Sequence, residues 1–212
     1  MANNDGPFGL RPIRHKSGAP YNGAANPYYI AGDYNTALFV GDPVLKTSTS
    51  NTANVETPTG KWGIGTLPEI NKATAGDANR VTGVIVGFSP LPTNLSLKHN
   101  TANTERVAWV CDDPDIVFEI QADGAIPATS IGLNAVFIYT HSGSTATGLS
   151  GAELDTTSTA PSADASNQMR IVRAVNRDDN DTTLTHAKVE VVLNNHTESN
   201  NNVSSTTGTL GI

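Results

Sequence analysis

The most regular signal along the chain is an alternation of apolar and polar positions with a period of two. Ile116, Phe118 and Ile120 point one way while Val117, Glu119 and Gln121 point the other, and Asp123-Gly124 then supplies a turn. Ala187, Val189, Val191 and Leu193 alternate with His186, Lys188, Glu190 and Val192, as on a half-buried strand. Val81 to Phe88 is a short apolar run closed by Pro90. Segments 37–45, 61–67, 106–111, 133–140 and 168–175 bring the predicted strands to about eight, separated by Gly, Pro, Asn, Asp, Ser and Thr. No window carries a sustained i, i+3, i+4 apolar stripe. Ser150-Gly-Ala-Glu153 has the form of a capping box, but the β-branched, Ser-rich run to Pro161 argues against a long helix. The predicted fold class is all-β, a sandwich or barrel, with 46–60 and 142–166 as long loops.

The two ends break this pattern. From Gly6 to Gly32 there is no acid, while Arg11, Arg14 and Lys16 are present among Pro7, Pro12, Pro20 and Pro27. Prolines at this density forbid a helix and disfavour an inner strand. The segment also holds Phe8, Leu10, Ile13, Tyr21, Tyr28 and Tyr29, more large apolar side chains than a disordered leader carries. Residues 1–32 therefore read as an extended arm with aromatic and basic anchors, residues 33–196 as the β-body, and residues 197–212 as a loose polar tail. Leu210 and Ile212 are placed to pin the end of that tail to a neighbour.

Composition explains the shortage of helix. Thr, Asn and Ser supply 62 of the 212 residues, and all three compete with a helical backbone for hydrogen bonds. Only 16% of residues are charged and mean hydropathy is −0.26, which fits neither a membrane protein nor a highly charged disordered chain. The formal charge of −7 opposes a sequence-independent grip on nucleic acid. Residues 1–20 lack a secretory apolar core and no run of 18 apolar residues occurs, so synthesis in a cytoplasm without membrane insertion is expected.

Candidate chemistry is sparse. No phosphate-cradling glycine loop and no G-x-S-x-G elbow is present, and His15, His99, His141, His186 and His196 are far apart. Asp112, Asp113 and Asp115, and again Asp178, Asp179 and Asp181, form acidic clusters that turn and strand-entry chemistry explains without a cation. Cys111 reads as a small buried hydrophobe. The chain is thus expected to be no enzyme, with no catalytic residue, metal or cofactor.

Several segments carry a resemblance. PFGLRPIRHKSGAPYNG (Pro7 to Gly23) resembles the N-terminal arm of a group of tailed-bacteriophage head proteins, the decoration or cement subunits. Further similar segments are YYI (Tyr28 to Ile30), LFVGDPV (Leu38 to Val44), DDPDIVFEIQADG (Asp112 to Gly124), SGAELD (Ser150 to Asp155), RIVRAVNRDDND (Arg170 to Asp181) and VEVVLNNH (Val189 to His196). The resemblance implies a virion protein, made in the cytoplasm of a bacterial host, that sits on the outer capsid surface and bridges neighbouring major capsid proteins, with a homotrimer near three-fold positions. The residues themselves leave monomer, dimer and trimer open. Phe8, Leu10, Arg11, Arg14, Tyr21 and Tyr28 are the expected capsid contacts. The alternative is a virion β-sandwich that holds host glycans, with Trp62, flanked by Gly60 and Gly63, as its aromatic platform and Trp109 in the core.

Overall fold

The structure, a computed structural model, describes residues 3–199. Most of the expected tail, including Leu210 and Ile212, lies outside the described residues. In chain order the first strands are β1 (Arg11–His15), β2 (Asn26–Ile30), β3 (Pro43–Ser50), β4 (Val55–Thr57), β5 (Gly60–Trp62), β6 (Pro68–Lys72) and β7 (Gly83–Phe88). They continue as β8 (Arg106–Cys111), β9 (Ile116–Gln121), β10 (Asn134–Ala135), β11 (Phe137–Tyr139), β12 (Ala152–Leu154), β13 (Met169–Ala174) and β14 (Lys188–Leu193). One short 3-10 turn, Ala128–Ser130, is the sole helical element among the described residues.

The chain is almost wholly β, in two principal sheets. One is an antiparallel sheet of order β1-β9-β14-β13-β10. Its inner face presents Ile116, Phe118 and Ile120 of β9, Val189, Val191 and Leu193 of β14, and Met169 and Ile171 of β13 to one continuous core. The other is a closed barrel of order β2-β6-β3-β7-β8, whose ring is completed by the parallel pairing of β2 with β6. Ile30, Val44, Ile70, Ile85, Ala108 and Val110 fill its interior. Val84 and Cys111, at one end of the barrel, join the core of the sheet. A small cluster of Val55, Leu67 and Val107 seats the β4–β5 hairpin, with Tyr29 and Trp62 packed against it.

Fourteen strands stand among the described residues where about eight were expected. Those at 106–111 and 116–121 lie where the alternation puts them, and 133–140 divides into β10 and β11. The expected loops 46–60 and 142–166 contain most of β3, all of β4, the first residue of β5, and β12. Ser150 does not cap a helix. Its hydroxyl donates to buried Asp42 at 2.5 Å and accepts from the Ala152 amide at 3.0 Å. Asp42 also accepts from the Phe39 amide at 2.8 Å and pairs with Lys72 at 3.3 Å, while the Lys72 ammonium sits 4.1 Å from the Tyr139 ring centroid. Burial pushes the Asp42 carboxyl up, and Lys72 and Ser150 oppose that shift. This polar knot ties the barrel to the β11–β12 hairpin.

The described part of the expected arm, from residue 3 to residue 32, is built into both sheets. β1 is an edge strand of the open sheet, the position where Pro12 removes no ladder bond, and its register with β9 shifts between Pro12 and Arg14. β2 is a stave of the barrel. Residues 3–32 thus share both principal sheets with residues of 33–196.

Candidate functional site

The N-terminal segment crosses the mouth of the barrel on two glycines. Gly9 (φ +71°) and Gly41 (φ +94°) touch backbone to backbone, and a Cβ at Gly9 would lie 2.4 Å from the Gly41 carbonyl oxygen. The Leu10 amide donates to that same oxygen at 2.9 Å. This close crossing drives Leu10 into the main core, 1% exposed, and turns Phe8 the other way. Phe8 and the half-exposed Leu149 form an apolar ridge with a groove on each side. The first groove, about 270 Å³, is lined by Phe8, Leu10, Arg11, Tyr21, Ile85 and Leu149 among others. The second, about 420 Å³, runs past Pro7, Phe8, His141, Ser144 and Leu149. The Arg11 guanidinium stands 4.7 Å from the Phe8 ring centroid and completes the rim of the first groove.

Four of the six expected contact residues, Phe8, Leu10, Arg11 and Tyr21, thus meet at one groove. Leu10 supplies its floor and not a projecting anchor. Tyr21 is half-buried, donates its hydroxyl to the Ala24 carbonyl at 2.8 Å, and has its phenol pushed up by burial and by nearby Cys111. The other two, Tyr28 and Arg14, lie away from this groove. Tyr28 is 6% exposed inside the barrel, its hydroxyl given to Asp112 at 2.7 Å. Arg14 is committed to Glu190 at 2.6 Å.

Arg11 and Arg14 are members of a charge lattice on the outer face of the open sheet. Glu119 lies between Arg11 at 3.0 Å and Arg177 at 3.1 Å; Glu190 lies between Arg14 at 2.6 Å and Arg173 at 2.8 Å. The two glutamates are direct cross-strand neighbours on β9 and β14, an arrangement that repels unless cations surround it. Burial pushes the Glu190 carboxyl up, but hydrogen bonds and charge from Arg173 and Arg14 outweigh it and hold the group below its ordinary value. Spacing along the chain gives no hint of these pairs, whose members lie more than a hundred residues apart or on different strands.

The remaining candidates are occupied locally. Asp112 accepts from Asn26 and Tyr28, Asp113 pairs with His15 at 3.4 Å, and Asp115 with Lys16 at 3.1 Å. Asp181 closes a turn by accepting from the amide and hydroxyl of Thr183. The Cys111 thiol is buried and pushed up to about 11 by that burial. His99 stacks on Phe39 at 5.0 Å, and burial lowers both it and His196. A group invisible in the sequence is Asp5, Glu153 and His186, whose ligand atoms lie within 4.8 Å of one another. The Gln121 amide nitrogen donates to Asp5 at 3.2 Å and to Glu153 at 2.8 Å, so it stands where a cation bridging the two carboxylates would stand. The Gly6 amide donates to the oxygen of the same amide at 3.2 Å and fixes that orientation.

Neither tryptophan stands where it is expected. Trp62 is half-buried against the Val55, Leu67 and Val107 cluster, and is no free platform. Trp109 belongs to no core cluster; it is half-buried and pairs across strands with Pro27 and Gly87. No helix among the described residues is long and apolar enough to cross a membrane. No protein-family model, no curated protein and no solved structure matches the chain.

Proposed function

We propose that this protein is a virion structural subunit, without enzymatic activity, that binds the outer surface of a tailed-phage capsid and stabilises contacts between major capsid proteins. The observation that carries the reading is the Phe8–Leu149 ridge with its two grooves. Its Phe8 belongs to the segment whose residues resemble the arm of head decoration subunits. The ridge is apolar and accessible, it is held by a backbone crossing that admits only glycine, and Arg11 flanks it with a cation. At about 25 cal/mol per Å² of apolar surface removed from water, burial of such a ridge contributes a few kcal/mol before ordering costs. Repeated over a shell, that is enough to hold neighbouring capsid subunits together. In this reading the protein attaches as a rigid body through its barrel mouth, in place of a loose arm, and assembles as a trimer near the three-fold positions.

The test is co-sedimentation with decoration-free heads of the phage that encodes the protein. Deleting the N-terminal segment is the wrong variant, because β1 and β2 would leave with it. Leu149→Asp alters the ridge at a partly exposed loop position and leaves both sheets intact. Wild type binds saturably, and Leu149→Asp weakens binding by about tenfold or more, as expected for loss of an apolar anchor. Equal binding by the variant, or none by wild type, overturns the reading.

A second reading rests on Trp109. An indole beside Pro27 and a glycine whose Cβ would meet open space is a flat platform of the kind sugars stack on. Binding of host-surface glycans that disappears in Trp109→Ala would favour it over capsid attachment.

A further inference from the structure

The chain contains seven arginines, and five of them, Arg11, Arg14, Arg170, Arg173 and Arg177, gather on the outer face of the open sheet. The cross-strand register places them there. Arg11 pairs with Glu119, Glu119 with Glu190, Glu190 with Arg173, and Arg170 with Val192 two positions beyond Glu190. Against these five cations stand Glu119 and Glu190 in the centre and Asp179, 3.3 Å from Arg177, at the rim. These eight side chains sum to plus two, and the rest of a chain of charge −7 carries −9.

We infer that this arginine face is a docking surface for a carboxylate-rich protein segment. Each glutamate holds two guanidiniums by a single terminal nitrogen apiece, which fixes the planar forks; Arg14 spends a second nitrogen on the His15 carbonyl and Arg177 its Nε on Asp179, whereas Arg11 and Arg173 keep their other donors free among the described residues. Arg11 and Arg173 keep 55% and 59% of their side chains exposed, and Arg170 makes no ion pair among the described residues. A carboxylate arriving between Arg170 and Arg173 relieves the repulsion of the surplus cations and meets on Arg173 a fork that Glu190 already holds, so on that side little side-chain entropy remains to be lost. Nucleic acid fits less well. The two central glutamates interrupt the positive surface, and the acidic remainder of the chain repels a long polyanion beyond the patch. The inference does not depend on the capsid reading, since the acidic segment is defined by its charge and not by its source.

The experiment titrates the full chain into a fluorescent oligoglutamate peptide at low salt, beside a single-stranded oligodeoxynucleotide of equal charge. Wild type binds the peptide saturably, and binding fades as salt rises, because exposed charge contacts are screened. Arg170→Glu weakens it about tenfold with an unchanged melting temperature, since that side chain holds nothing else in place. Lys61→Glu, on the exposed β4–β5 hairpin, leaves it within about twofold at the same ionic strength. Absence of peptide binding, equal binding by Arg170→Glu, or equal affinity for the oligodeoxynucleotide overturns the inference. Peptide binding by a protein that ignores phage heads would refute the capsid reading and leave this one standing.

Discussion

The two faces of the open sheet both hold central side chains withdrawn from water, and they achieve it by opposite means. On the inner face, Phe118 lies among branched aliphatic side chains from β9, β13 and β14 and is fully buried. On the outer face, Glu119 and Glu190 are almost as deeply buried, yet their neighbours are guanidiniums. The inner face gains stability from area and close packing, which any apolar set of the right volume supplies. The outer face depends on matched charges, each of which is costly if left alone. A surface of that second kind holds its shape while presenting cations to the outside.

The comparison is broken most severely from the inner side. Phe118→Ala should cost about 3–5 kcal/mol in chemical denaturation, because the site is enclosed on all sides and the cavity cannot collapse. A loss below about 1 kcal/mol would mean that the core is far looser than its burial implies.

The next effect separates residues two positions apart in the N-terminal segment. Leu10→Ala should cost about 2–4 kcal/mol, whereas Phe8→Ala should cost less than about 1 kcal/mol, since one side chain is core and the other is rim. Equal costs would show that the segment does not hold the register given by Gly9 and Gly41.

The outer face is sharpened by Glu190→Gln, which should cost about 1–2 kcal/mol near pH 7, a value limited by the exposure of Arg173. The folded-state pKa of Glu190 is depressed, so its contribution is present above the ordinary glutamate value of about 4.3 and disappears as pH falls through the folded value. Wild type and variant should therefore converge in stability in strong acid. A gap that stays constant with pH would assign the loss to packing and not to charge.

Much of the inner face was legible in the sequence, because Ile116, Phe118 and Ile120 alternate with polar neighbours at the strand period and the structure points them inward. The outer face was less legible. Val117, Glu119 and Gln121 alternate with the core positions, yet all three are buried: Arg11 and Arg177 hold Glu119, and the Gly6 amide, Asp5 and Glu153 hold Gln121. Pro7, Pro12, Pro20 and Pro27 made the first thirty residues look like an arm, and an edge strand with a register shift accommodates Pro12 without that consequence. The groove was half legible. Phe8, Leu10, Arg11 and Tyr21 were singled out as anchors, while Leu149 and Ile85 come from loops and strands whose proximity is a product of the fold. Basic character at Arg11 and Arg14 was visible as composition, but their partners Glu119 and Glu190 are non-local and leave no mark in local spacing.

The central claim, that the protein stabilises a phage shell through its Phe8–Leu149 ridge, is tested most directly by scanning calorimetry of decoration-free heads. Saturating wild-type protein should raise the temperature at which the heads come apart, as any ligand of the intact shell alone must. Phe8→Ala with Leu149→Asp, added at the same concentration and still folded, should leave that temperature where it was. An unchanged transition with wild type, or an equal rise with the ridge variant, would contradict the account.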